Sequence, residues 1–205
     1  YNRFISVSCS YFYFIVFLEK NRNMQFTELE IPGVYVIEPR VFGDIRGYFM
    51  ESYKKHEFDA HIGPVNFIQD NESSSVYGVL RGLHYQKGIY SQAKLVRVTS
   101  GNVLDVAVDL RRSSPCFGKY VAVELSAENK KQLYIPRGFA HGFLVMSGTA
   151  QFNYKVDNVY APKQEASIRF DDPQIGIQWP VPAARMILSS KDKGGAFLYE
   201  AECFD

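Results

Sequence analysis

From residue 94 to residue 156 the chain runs in short alternating stretches. Residues 94–99 put Lys94, Val96 and Val98 on one face, and residues 103–110 put Leu104, Val106, Val108 and Leu110 on one face. Ser100-Gly101-Asn102 lies between them, so the pair predicts a β-hairpin. Strands are predicted next over 118–125 and 131–135, the second stopped by Pro136. Residues 141–146 set His141, Phe143 and Val145 on one face. Residues 150–156 set Ala150, Phe152, Tyr154 and Val156 on one face and Gln151, Asn153 and Lys155 on the other. Only residues 52–61 look helical, ended by Gly63-Pro64. Many short strands cut by Gly, Pro, Asn and Ser predict a mainly β, antiparallel sandwich or barrel with a few short helices.

The same alternation places three polar residues on apolar faces: Lys94, His141 and Tyr154. Buried polar groups need partners or a cavity. One such residue is more often structural than functional. Three together favour a jelly-roll barrel with a polar pocket.

Composition narrows the partners. Lys plus Arg is 23 and Asp plus Glu is 22, so there is no basic field for nucleic acid. Any bound anion must be held by a few placed side chains. Cys9, Cys116 and Cys203 are odd in number and contain no CxxC pair, which favours free thiols in a reducing cytoplasm over a disulfide scaffold or zinc site. The apolar run 11–18 is shorter than the about 20 residues a membrane helix needs, and no small-x-small cleavage site follows it. Met24 opens "MQFTELEIPGVYVIEP". The expectation is one domain over 24–205, with 1–23 as an extra upstream segment.

Candidate chemistry centres on "GVLRGLHYQ", residues 78–86. A metal barrel would need further ligands beside His84, where Tyr85 and Gln86 stand, and His84 with His141 offers too few nitrogens; no metal is expected. No GxSxG, GxGxxG or Walker loop is present. Acid–base chemistry remains. Histidine, at pKa ~6.5, is the natural base near neutrality, and tyrosine, at ~10, can protonate a carbanion. Lysine can hold an enolate oxygen. The residue set points to proton abstraction next to a carbonyl.

Taken in order, "FGDIRGYFMESY", "QDNESSS", "GVLRGLHYQ", "QAKLVRVTSGNVLDVAVDLRRSSPCFGKY", "YIPRGFAHGFLVMS", "FNYKVDNVYAPKQEASIRFDDPQIGIQWP" and "LSSKD" make the chain from Met24 onward resemble the dTDP-4-dehydrorhamnose 3,5-epimerase family. These are cofactor-free jelly-roll enzymes of the cupin superfamily. The resemblance implies His84 as general base, Asp192 as the carboxylate that orients it, Tyr154 as general acid and Lys94 as the residue stabilising the enolate. It implies His141 as a second pocket histidine, and Arg46, Arg81 and Lys191 around the diphosphate. Glu51, Gln69 and Asn71 match positions reading the thymidine, and Glu165 a further ligand contact. Phe49 and Trp179 are candidates for stacking on the base or for plain packing.

The implied reaction converts dTDP-4-dehydro-6-deoxy-D-glucose to dTDP-4-dehydro-L-rhamnose, a step of dTDP-L-rhamnose biosynthesis. A homodimer is implied, paired through the strand-like stretch after Met24. A C3-only or C5-only epimerase would carry the same four residues, and a non-catalytic nucleotide-sugar barrel is the alternative from another class. One geometric question stays open. Arg81 and His84 are three apart, so strict alternation sends them to opposite faces; a bulge at Gly82 or a rim position for Arg81 would reconcile them.

Overall fold

The computed structural model describes residues 23–205. The expectations for Cys9 and the apolar run 11–18 lie outside the described residues. The first strands are β1 (Gln25–Glu28), β2 (Tyr35–Glu38), β3 (Val41–Asp44) and β4 (Gly47–Met50), followed by helix α1 (Lys55–His61). Then come β5 (Gln69–Val76), β6 (Leu80–Gln86), β7 (Lys94–Ser100), β8 (Asn102–Asp109), β9 (Tyr120–Ser126), β10 (Gln132–Ile135), β11 (Phe139–Val145), β12 (Thr149–Val156) and β13 (Glu165–Ser167), with helix α2 (Ser190–Lys193) near the end. All strand pairings are antiparallel. One sheet has the order β1-β2-β10-β7-β12-β5 and the other β13-β6-β11-β8-β9, while β3 and β4 pair only with each other. The two large sheets face each other as a jelly roll. No helix among the described residues is long and apolar enough to cross a membrane.

Val96, Val98 and Phe152 from the six-stranded sheet meet Val103, Ala107, Phe143 and Val145 from the five-stranded sheet in the main core. Phe143 and Phe152 stack at 4.0 Å between ring centroids. Burying a side chain of this size stabilises by about 2–3 kcal/mol. Helix α1 lays Phe58 on the outer face of the six-stranded sheet, against Ile37, Leu95 and Tyr134. It begins three residues later than its pattern predicts, and Gly63, at φ +104°, turns the chain away after it.

The predicted hairpin over 94–110 does not form. Strand β7 pairs with β10 and β12, whereas β8 pairs with β11 and β9. The turn at 100–102 carries the chain from one sheet to the other. Gly101, at φ +72°, sits so close to the start of β12 that a Cβ there would lie 2.0 Å from the Thr149 carbonyl oxygen. The apolar face predicted for 103–110 is also the outer one. Val106, Val108 and Leu110 are covered by Ile175, Leu198 and Ala201 of the C-terminal segment. The opposite face, Val103, Asp105 and Ala107, looks into the barrel and is buried too. Alternation alone does not distinguish a solvated face from one that the chain later covers.

The question of Arg81 and His84 is answered by a bulge. His141 of β11 pairs with His84, yet Phe143, two residues on, pairs with Arg81, three residues back. The extra residue sits opposite Gly142. Gly82 has φ +144°, and a Cβ on it would lie 2.5 Å from the Gly142 Cα; one on Gly142 would lie 2.7 Å from the Arg81 carbonyl oxygen. Only glycine fits both places. Gly82→Ala is therefore expected to cost about 2 kcal/mol, a fall in Tm of roughly 4–8 °C by calorimetry. An unchanged Tm would contradict so close an approach of β6 and β11.

Candidate active site

Between the sheets lies a cavity of about 360 Å³. Eight of the twelve predicted site residues line it: Arg81 and His84 from β6, Lys94 from β7, His141 from β11, Tyr154 from β12, Glu165 from β13, and Lys191 and Asp192 from α2. Phe143 and Phe152 give it an apolar wall. His84 and Tyr154 come from opposite sheets, so they approach the cavity from opposite sides.

Asp192 meets His84 although 108 residues separate them in sequence. The His84 Nε2–H donates to Asp192 Oδ1 at 2.7 Å, which leaves Nδ1 as the nitrogen able to take a proton. Asp192 is 3% exposed: Ser189 caps α2 in a reciprocal capping box with Asp192 and turns that carboxylate inward. The S-x-x-D spacing was the sequence signal for this short helix. Burial alone would raise the Asp192 pKa. Hydrogen bonds from the Ser189 hydroxyl and the Gly82 N–H outweigh it and hold the carboxyl below its ordinary range.

Burial pushes His84 below its ordinary 6.5, and Lys191 and Lys94 add to the effect while Asp192 opposes it. The imidazole is neutral at neutral pH. Desolvation brings Lys94 down to about 8 against the pull of Asp105 and Glu165, so its ammonium persists at neutrality with little to spare. Burial raises Tyr154, partly offset by Arg81, and keeps its phenol protonated. The cavity thus holds a neutral base, a protonated acid and a cation.

A second histidine–carboxylate pair lies deeper. His141 Nε2 contacts the Asp105 oxygens at 3.1 and 3.0 Å, and Asp105 is fully buried. Asp105 was missed by sequence reasoning; its signal is an acid in the middle of a strand apolar on both faces. At the cavity mouth Lys191 pairs with Glu165, which also accepts from the Tyr160 hydroxyl at 2.9 Å. Arg81 reaches across to β5 and donates from Nε to the Ser75 hydroxyl at 3.0 Å.

Four predicted residues stand apart from this cavity. Arg46 lies at the tip of the β3–β4 hairpin, paired with Asp44 and exposed, because that hairpin joins neither large sheet. Glu51 pairs with Lys54. Gln69 and Asn71 bond to each other at 2.7 Å on edge strand β5, where Asn71 pairs across to Tyr154. Phe49 is exposed on the hairpin beside Phe42, and Trp179 packs outside the barrel, donating to the Phe170 carbonyl.

The chain matches the model of the family described as dTDP-4-dehydrorhamnose 3,5-epimerase over residues 28–200. It is similar to the dTDP-4-dehydrorhamnose 3,5-epimerase of Shigella flexneri, 53% identical over 182 residues, spanning 88% of this chain and 99% of that one. Its structure resembles the crystal structure of dTDP-4-dehydrorhamnose 3,5-epimerase from Elizabethkingia anophelis, with TM-score 0.84, 51% identity and coverage of 87% and 98%. It also resembles the dTDP-6-deoxy-D-glucose-3,5-epimerase of Legionella pneumophila, solved in complex with dTDP-4-keto-L-rhamnose, with TM-score 0.84, 46% identity and coverage of 88% and 95%. Such identity over nearly the full length of these proteins, on the same fold, means that this chain belongs to the dTDP-4-dehydrorhamnose 3,5-epimerase family.

Proposed function

We propose that the cavity epimerises dTDP-4-dehydro-6-deoxy-D-glucose at C3 and C5 to give dTDP-4-dehydro-L-rhamnose. The observation that carries this reading is the placement of a neutral His84 and a protonated Tyr154 on facing sheets with Lys94 in the same cavity. The 4-ketone acidifies the hydrogens on both flanking carbons. His84 Nδ1, oriented through Nε2 by Asp192, takes one of them. The Lys94 ammonium holds the enolate oxygen, with His141 beside it. Tyr154 returns a proton from the other side, and the carbon inverts. Once His84 has passed its proton to solvent and Tyr154 has taken one back, repetition at the second carbon completes the reaction. Each turn is a proton removed and a proton returned, with no net redox, so no cofactor enters the steps.

The nucleotide end needs positive charge at the mouth. Arg81 and Lys191 supply it, Arg through a fork that takes phosphate oxygens in pairs. Arg46, Glu51, Gln69 and Asn71 read the nucleotide on this proposal, and Arg46 does so from a second copy. Its hairpin stands away from its own cavity and exposes Phe42, Ile45, Tyr48 and Phe49, so a homodimer that seats it accounts for both facts. The edge of β1, unpaired among the described residues, gains from the same association. The free thiols of Cys116 and Cys203 suit a cytoplasmic protein.

In deuterated water, His84→Ala should lower solvent exchange at C3 and C5 by about 10³-fold, followed by NMR. Normal exchange would sink the base assignment. Tyr154→Phe should slow epimerisation more than exchange, since abstraction precedes delivery; equal losses would argue against an acid role.

The pH dependence of kcat/KM should be bell-shaped. His84 works unprotonated, so activity rises as pH climbs through its pKa, and the lowered pKa puts that limb below the ordinary histidine range. Lys94 works protonated, so activity falls as pH rises through about 8. Lys94→Gln should abolish the alkaline limb; a limb that stays in place belongs to another group.

Arg46→Ala should raise KM about tenfold with kcat nearly unchanged. Sedimentation should give the mass of two chains. A monomer with full activity would overturn the shared site.

A further inference from the structure

We propose that Ser189 is a positioning residue for the His84–Asp192 pair, a role that rests on the reading of that pair as the catalytic base. Asp192 divides its two oxygens between two tasks. Oδ1 faces His84 Nε2 at 2.7 Å and accepts the Gly82 N–H at 3.2 Å. Among the described residues Oδ2 accepts only from Ser189, its hydroxyl at 2.5 Å and its N–H at 3.1 Å. The Asp192 N–H in turn donates to Ser189 Oγ at 3.2 Å.

The carboxylate is therefore clamped at one oxygen by Ser189 so that the other points at the imidazole. Helix α2 has four residues, too few to hold a direction by its own backbone bonds. The capping box is what sets its first turn, and with it the angle from which Asp192 enters the cavity. Lys191 rides on the same turn and reaches Glu165, so one cap orients both the base's partner and a cation of the mouth.

The hydroxyl also sets how strongly the carboxylate binds a protonated His84. While Ser189 draws charge toward Oδ2, Oδ1 is the weaker acceptor. Without the hydroxyl, Oδ1 holds the imidazolium more tightly and the base keeps its proton to higher pH. The other groups that face His84 are Lys94 from β7, His141 with Asp105 behind it, Glu165 from β13, Lys191 from α2, and Tyr154 and Arg81 across the cavity. None of them makes a hydrogen bond to Ser189, so removing its hydroxyl breaks no hydrogen bond of theirs, and of these groups only Lys191 sits on the turn that Ser189 caps.

The test compares Ser189→Ala, Ser189→Gly, Ser189→Thr and Asp192→Asn by kcat, KM and the acid limb of kcat/KM. Ser189→Ala should lose roughly 10- to 100-fold in kcat with KM within about twofold, and its acid limb should move to higher pH. Glycine is a tolerated N-cap but has no hydroxyl, so Ser189→Gly should show the same displaced limb even if the alanine variant folds poorly. Ser189→Thr should restore both kcat and limb. Wild-type kcat and limb in the alanine and glycine variants would overturn the proposal, as would a raised KM without a displaced limb. Wild-type kcat in Asp192→Asn would instead overturn the reading of the base pair itself.

Discussion

Two backbones meet at Gly82 and Gly142 more closely than any side chain allows, and the site is built around that approach. The bulge it creates on β6 breaks the two-residue alternation between Arg81 and His84. Both then line the cavity. The same bulge frees the Gly82 N–H from the β6–β11 ladder and turns it toward Asp192. A regular strand would keep that N–H in the ladder and send either Arg81 or His84 out of the barrel. Local strain in the sheet is thus exchanged for convergence at the site.

Desolvation then acts on the converged groups, and it acts in different directions according to their charge. It favours the uncharged form of each. For His84 that is the neutral ring, for Tyr154 the phenol, for Lys94 the free amine. The first two are the forms that proton transfer needs. The third is not, and here the buried acid Asp105, with Glu165, resists the shift and keeps Lys94 charged at neutral pH. Asp105 therefore serves two neighbours, contacting His141 directly and supporting Lys94 through the field. Asp192 is the opposite case. Burial alone would raise it, and four donors to its oxygens, the His84 Nε2–H among them, keep it ionised.

Much of this was legible in the sequence because period-2 patterning is a local property. Lys94, His141 and Tyr154 were read as inward from their own strands, and their strands turned out to face one cavity. What was not legible depends on partners far along the chain. The turn at 100–102 looks like a hairpin turn whichever sheet the next strand joins. The outer face of β8 looks like a core face, and it is one, but the core it joins is completed by residues near 175 and 198–201. Asp105 was hidden by that misassignment of faces. Asp192 could be placed only by resemblance, since nothing in a charged, glycine-rich stretch announces burial; its capping-box spacing shows a helix start without showing where that helix points. The β3–β4 hairpin marks the other limit. Among the described residues Arg46 has no partner but Asp44, and the role proposed for it appears only when a second copy is considered.

The proposed acid and base need not move to serve two carbons. C3 and C5 flank the same ketone, so an enolate at either places its oxygen at C4. Lys94 can hold that one oxygen throughout. The two hydrogens leave from the same face of the ring, so a turn of the ring in its own plane about the C4 oxygen brings the second carbon to the same His84 and the same Tyr154. A cavity of about 360 Å³ with an apolar wall of Phe143 and Phe152 permits such a turn, because aromatic faces offer contact without directional bonds. The polar groups that fix position are gathered at the mouth, where Arg81 and Lys191 meet the diphosphate on this reading. Rigid anchoring of the nucleotide and loose holding of the sugar are then two parts of one requirement. The first keeps the substrate in the site between the two inversions, and the second lets one pair of proton carriers complete both.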